Sequence, residues 1–155
     1  MARGAVAPLP TAPGTYALVF TLSERRSAHV GALGSITFEP GYLVYVGSAL
    51  GPGGLRARVL RHARHDKPPH WHLDYLRIHL ELQEAWLTTA TQRLEHAWAD
   101  LLSESLDVAA ARFGASDCQC ASHLFHSARR PDAILIANDE SVSIWQPRLA
   151  TIGPT

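Results

Sequence analysis

The sequence predicts an α+β fold: a small central, mainly antiparallel β-sheet flanked by helices as an α/β sandwich, with an extra C-terminal β-hairpin. Three observations lead there. Thr15–Leu22 and Tyr42–Val46 are short runs rich in aliphatic, aromatic and β-branched residues, bounded by glycines or polar residues. Residues 91–103 instead carry apolar side chains at helical spacing. A length of 155 residues suits one hydrophobic core and leaves little room for a second.

The elements follow in order. Residues 1–13 hold Pro8, Pro10, Pro13 and a single Arg, a pattern that breaks a signal-peptide helix, so a flexible lead-in without export is expected. Thr15–Leu22 reads as a buried strand and Ser23–Ser27 as a turn. An extended region from His29 to Gly47, interrupted by Gly31, Gly34, Pro40 and Gly41, ends in the core strand Tyr42–Val46. Gly51-Pro52-Gly53-Gly54 forces a loop. Leu55 opens a helix with Leu55, Val59 and Ala63 on one stripe, which Pro68 and Pro69 close. Trp71–His79 reads as a short helix, with Trp71, Tyr75 and Ile78 on one side, and Leu80–Thr88 as a third strand. The helix from Thr91 to Ser103 places Leu94, Ala97, Trp98 and Leu101 on one face. Arg112–Ser122 is a polar loop and His123–His126 a short strand. In the C-terminal hairpin, Ala133–Ala137 and Val142–Trp145 flank a turn at Asn138-Asp139. Residues 14–147 are thus one domain, and 148–155 a frayed end.

Composition narrows the class. Charged residues make up 18% and hydrophobic ones 46%, which excludes an intrinsically disordered chain. No apolar run approaches the roughly 20 residues that cross a bilayer, so a cytoplasmic protein with no membrane partner is expected. Cys118 and Cys120, one residue apart, suit a disulfide poorly and read as reduced thiols. The formal net charge is zero, which argues against coating nucleic acid by bulk electrostatics. Charge is nonetheless uneven: Arg56, Arg58, Arg61, Arg64 and Lys67 face only Asp66 between residues 55 and 72. Such a basic face suits phosphate binding or a solvated helix surface.

Four features carry chemistry. Gly14-Thr15-Tyr16 starts one strand and Tyr45-Val46-Gly47 ends another; Arg58 and His62 lie one helical turn apart; Glu95 sits early in a helix. Singly, Tyr16 and Tyr45 read as core residues, Arg58 and His62 as a solvated face, and Glu95 as a first-turn acid favoured by the helix dipole. Taken in order, with Ser48-Ala49 and Leu55-Arg56-Ala57-Arg58 between them, they resemble the GIY-YIG endonuclease superfamily over roughly Gly14–Trp98. The segments His70-Trp71-His72-Leu73-Asp74-Tyr75 and Cys118-Gln119-Cys120-Ala121-Ser122-His123-Leu124-Phe125 are similar to those of one branch of that family.

The resemblance implies a divalent-metal-dependent endonuclease that hydrolyses DNA phosphodiester bonds, strand- or structure-selective, acting on single-stranded or branched DNA with weak sequence specificity, for example in DNA repair. It implies one Mg²⁺ or Mn²⁺ held by Glu95, Tyr45 as general base with Tyr16 hydrogen-bonding nearby, Arg58 on the scissile phosphate, and His62 orienting the water or relaying its proton. A free tyrosine titrates near 10, so Tyr45 needs Arg58 or the cation close by. Gly47, Ser48, Arg56, Arg61, His70, Trp71 and His72 are the expected substrate contacts, with Trp71 able to stack a base.

Two departures stand out. An insertion around Ser27–Pro40 separates the two strand signatures, and the asparagine that many members place after the glutamate helix is missing; Asn138 is the only one, with Ser122 and His123 as candidate substitutes. A nucleic-acid-binding module that has lost catalysis is therefore the alternative. Cys118, Cys120 and His123 also invite a Zn²⁺ cluster, although Cys-x-Cys is tighter than usual zinc spacing; two reduced thiols in a loop are the plainer reading.

Overall fold

β1 (Gly14–Leu22) is the strand on which the molecule is assembled. It is buried along nearly its whole length, as its continuous apolar run requires. It pairs antiparallel with β4 (Gly41–Ala49) on one side and with β5 (Glu81–Thr88) on the other. The computed structural model describes residues 8–64, 71–115, 120–136 and 142–147. Three shorter strands complete the main sheet: β6 (Asp107–Val108), β7 (Leu124–Ser127) and β8 (Ser143–Trp145). The order is β6-β7-β4-β1-β5-β8, antiparallel throughout. β2 (Arg26–His29) and β3 (Ser35–Phe38) form a separate two-stranded ribbon within the segment expected to be an insertion.

Strand alternation divides the core in two. Tyr16, Leu18, Phe20, Leu43 and Tyr45 point to the face covered by α1 (Gly54–Ala63) and by 3-10 turns at His72–Tyr75 and Arg77–His79. Ala17, Val19, Val44, Val46 and Trp86 point to the other face, beneath α2 (Glu95–Ser105). The result is the expected α+β sandwich, and among the described residues no helix is long and apolar enough to cross a membrane.

The expected elements shift in several places. The C-terminal hairpin does not form: Ala133–Leu135 is a 3-10 turn, and Ala133 and Ile136 pack into the α2 face. Ser143–Trp145 joins the edge of the main sheet on β5 instead, while the turn expected at 138–139 lies outside the described residues. A short apolar run such as 133–137 has no period that separates strand from helix, and its packing decides. The helix expected at 71–79 is two 3-10 turns, with Leu73, Leu76, Arg77 and Leu80 buried and Ile78 exposed. Spacings of three suit that tighter coil. Residues 9–12 are no loose lead-in: Leu9 is buried, and the carbonyls of Pro10 and Ala12 accept from the Arg56 and Leu55 amides at 2.8 and 3.0 Å. These bonds satisfy donors that the first turn of a helix cannot satisfy itself.

The other end of α1 is tied by one side chain. Arg77, 2% exposed, donates to the carbonyls of His62 at 2.5 Å, Ala63 at 3.1 Å and Leu80 at 2.6 Å. Its guanidinium lies 5.0 Å from the Phe20 ring centre. Burial lowers Arg77 to about 10, which leaves it cationic at neutral pH at the negative end of the helix. We predict that Arg77→Ala lowers the unfolding free energy by about 3 kcal/mol in urea titration, because three carbonyls lose a charged donor. Arg77→Lys restores only part of it, lacking the planar fork. An unchanged urea midpoint for Arg77→Ala would contradict this account.

Candidate active site

The antiparallel register sets Tyr16 directly opposite Gly47. A Cβ at position 47 would collide with the Tyr16 hydroxyl and ring, so glycine is required for Tyr16 to lie across β4. There the hydroxyl shares a hydrogen bond of 2.9 Å with His62 Nε2 on α1. His62 is buried, with the rings of Tyr16, Tyr45 and Trp71 centred 5.6, 5.7 and 5.3 Å away. It is therefore not part of a solvated helix face. His62 takes the buried place expected for Ala63, which is only half-buried.

Glu95 is the first residue of α2 and not the fifth, as the expected helix start at Thr91 would make it. The preceding residues are held off helix: Thr88 Oγ1 accepts from the Ala90 amide at 3.1 Å and Thr15 Oγ1 from the Leu94 amide at 3.4 Å. The carboxylate consequently sits in the first turn, where the helix dipole favours it. Ser48 Oγ donates to Oε1, and His123 Nδ1 lies 3.0 Å from Oε2. Burial pushes the Glu95 acid up, but the hydrogen bonds from His123 and Ser48 and the charges of His123 and His96 outweigh it and hold the pKa below the ordinary value. The Ser48 carbonyl in turn accepts from Arg58 NH1 at 2.9 Å. One residue thus links the acid and the base.

These groups meet at a cleft of about 240 Å³ lined by Tyr16, Tyr45, Ser48, Arg58, Trp71 and Glu95, with Gly47, Leu50, Arg93 and Gly114 completing its wall. A neighbouring hollow of about 320 Å³ shares Ser48, Leu50 and Arg93 with it. The expected residues Tyr16, Tyr45, Gly47, Ser48, Arg58, Trp71 and Glu95 are thereby brought together, with His62 behind Tyr16. Others are not. Arg56 is exposed on the outer side of α1 and does not line the cleft. Arg61 is committed to Asp74 through two hydrogen bonds of 3.2 and 3.1 Å, with its guanidinium 4.1 Å from the centre of the Trp71 ring. Arg58 approaches the same ring at 4.5 Å, so both cations occupy the surface expected to stack a base. His72 Nδ1 accepts from the Gly114 amide at 2.7 Å, and burial lowers its pKa. It serves as a neutral brace between loops. His70 and Cys118 lie outside the described residues.

Sequence reasoning missed Arg93, Gly114 and His96, and it named His123 without its partner. Gly114 and His123 arrive because the 112–115 turn folds back on 121–123: the Arg112 amide donates to Ala121 O at 2.7 Å and the His123 amide to Phe113 O at 2.7 Å. Of the two candidates for the missing asparagine, Ser122 is spent on the Leu124 backbone, whereas His123 reaches Glu95.

The arrangement can bind an anion at Arg58 and Arg93 and present a carboxylate to a cation beside it. Its two phenols are not poised as free bases. Burial raises Tyr16, with Arg58 opposing; burial, then the charges at Tyr16 and Glu95, raises Tyr45 well above its ordinary value. The expected lowering of Tyr45 by Arg58 is present but overruled by desolvation.

A family model described as "Domain of unknown function DUF123" matches residues 15–143. No curated protein and no solved structure matches the chain.

The raised tyrosines have a consequence for stability. Both hold their protons in the folded state after an unfolded tyrosine has lost its own, so the unfolded chain binds fewer protons above about pH 10. Their contribution is present in full below that pH and is lost as pH rises. We predict that the tyrosines leave the urea midpoint unchanged from neutral pH to about pH 10 and lower it above that. Tyr16→Phe unfolds about 1 kcal/mol more easily at neutral pH, through its lost bond to His62, but declines less steeply in alkali. A steeper decline in the variant would contradict the burial argument.

Proposed function

This chain belongs to the DUF123 family, and we propose that it is a divalent-metal-dependent endonuclease that hydrolyses DNA phosphodiester bonds. The observation that carries the reading is one open cleft holding an ionised carboxylate, Glu95, and a guanidinium, Arg58, beside two tyrosine hydroxyls. The choice of DNA, the strand or structure selectivity and the cytoplasmic setting rest on the resemblance to GIY-YIG endonucleases.

The site fits a single hard cation. Glu95 is ionised, and its side chain is 19% exposed at the cleft. Mg²⁺ and Mn²⁺ keep most of their waters and need only one or two carboxylates. When bound, such an ion supplies neutralisation at the phosphoryl oxygens and at the departing oxygen. The remaining work falls to the chain. Arg58 grips the phosphate, its NH1 already oriented by the Ser48 carbonyl. Ser48 and His123 keep the Glu95 carboxylate charged and aimed into the cleft. Tyr45, a neutral phenol in the free protein, orients the attacking water and accepts its proton only by passing on its own. His62 is the imidazole able to receive a proton in this cluster, and it reaches the cleft through Tyr16.

One observation favours a second reading, a DNA-binding module without catalysis: Tyr45 is pushed away from the range of a working base. The same experiment separates the two. Single-stranded, flapped, branched and damaged DNA are incubated with the protein and Mg²⁺ or Mn²⁺. The nuclease predicts cutting that falls at least about 100-fold in Glu95→Ala and in Arg58→Ala. Equal cutting by Glu95→Ala would sink it. Salt-dependent binding without cutting, weakened when Arg56, Arg58 and Arg61 are replaced, would establish the binding module instead.

A further inference from the structure

Beside the cleft lies a cluster that the proposed reaction does not use. His96 on α2, Cys120 and His123 each present one ligand atom, all within 4.8 Å of one another. We propose that these three residues form a site for a zinc ion, distinct from the cleft cation at Glu95, that fastens residues 120–123 to the start of α2.

The donor set argues for zinc. A thiolate and two imidazoles suit a borderline-soft ion and are poor ligands for Mg²⁺. With bond lengths near 2.3 Å to sulfur and 2.0–2.1 Å to nitrogen, tetrahedral ligand atoms stand about 3.5 Å apart. The cluster is therefore open by at most about 1.3 Å, and the exposed His96 is the member able to move in. The fourth position is left to water.

Two further observations show a prepared site. Glu95 Oε2 lies 3.0 Å from His123 Nδ1, so the carboxylate restrains the orientation of the ring. A carboxylate behind a ligating imidazole is the usual means of fixing its orientation and raising its basicity. The backbone that carries Cys120 and His123 is also restrained. Arg112, at φ 61°, is the only non-glycine with positive φ among the described residues. Its guanidinium donates to the Cys120 carbonyl at 2.8 Å and to the Ala115 carbonyl at 2.6 Å. A strained residue that holds a ligand-bearing segment in place is a device for fixing a site in advance.

The site resolves the spacing problem of Cys-x-Cys. Only Cys120 need serve, because the second helix ligand comes from His96, a residue with no sequence proximity to either cysteine. It would also steady Glu95, whose neighbour in sequence and whose hydrogen-bonding partner are both ligands.

The test uses the full chain and the metal alone. The purified protein is stripped with chelator and reloaded with Zn²⁺ or with Co²⁺. The expected result is one equivalent of zinc, and with cobalt a thiolate-to-metal charge-transfer band in the near ultraviolet with the intense visible bands of a four-coordinate ion. Cys120→Ser removes the charge-transfer band. His96→Ala, exposed and so harmless to folding, weakens binding by at least the roughly 10- to 100-fold that even outer partners of a zinc ligand are worth. The proposal is overturned if no such band forms, if His96→Ala binds as tightly as wild type, or if the band survives Cys120→Ser and is lost in Cys118→Ser. None of these readouts involves DNA cutting, so zinc binding stands or falls separately from the nuclease.

Discussion

The pairing of Tyr16 with Gly47 across β1 and β4 is the constraint on which the rest of the site depends. Side chains alternate along a strand, so this register turns Tyr16, Leu18 and Phe20 of β1 and Leu43 and Tyr45 of β4 toward α1. A slip of one residue would turn the side chains of one strand over and carry one of the two hydroxyls to the α2 face. The absent side chain at Gly47 lets the Tyr16 ring lie over the neighbouring strand. The hydroxyl then meets His62, and α1 is set at the rotation that brings Arg58 to the cleft. Arg77 holds α1 at its far end by capping carbonyls of its last turn, and residues 9–12 cap the first.

Burying opposite charges at a shared cleft invites them to neutralise each other, which would leave neither for a ligand. Ser48 prevents that outcome. Its carbonyl accepts a hydrogen bond from the Arg58 guanidinium and its hydroxyl donates one to Glu95, so each charge is satisfied by a dipole of the same residue. The first turn of α2 adds its own favourable field at Glu95. The carboxylate therefore stays ionised despite substantial burial, while at the phenols beside it desolvation outweighs the Arg58 charge and keeps them protonated.

The strongest elements were legible because their signals are local. β1 and the core of β4 show as apolar runs, and α2 as a helical period, although its buried face is Trp98, Ala99 and Leu102 and not the stripe through Ala97. The short strands β2 and β6 were not legible, since edges of a few residues acquire their conformation from the partner they pair with, and β8 was legible as a strand but not in its pairing with β5. The same division holds for the site. Tyr16, Tyr45, Arg58 and Glu95 lie in ordered landmarks along the chain, whereas Gly114 and the His96–His123 approach exist only because one turn doubles back on another. His62 shows how a pattern can be read correctly and its surroundings wrongly. Its spacing from Arg58 puts both on one side of α1, but that side faces aromatic rings and not solvent.

His123 is where the two proposed sites touch. One edge of its ring faces Glu95, and its ring also lies tilted near that of His96, with centres 5.9 Å apart. An imidazole has two nitrogens, and what one of them binds decides what the other can offer. If a zinc ion takes the outer nitrogen, Nδ1 must carry its proton toward Glu95, and the carboxylate gains a permanent donor whose strength the metal increases. If the outer nitrogen is instead protonated or wet, the same bond to Glu95 varies with the state of the ring. The cluster of His96, Cys120 and His123 would thus act on the cleft without entering it, by setting how firmly one carboxylate is held. That coupling also gives a physical reason for a histidine at this position where a neutral amide would only hydrogen-bond: an amide can orient Glu95, but it cannot transmit the charge of a second ion to it.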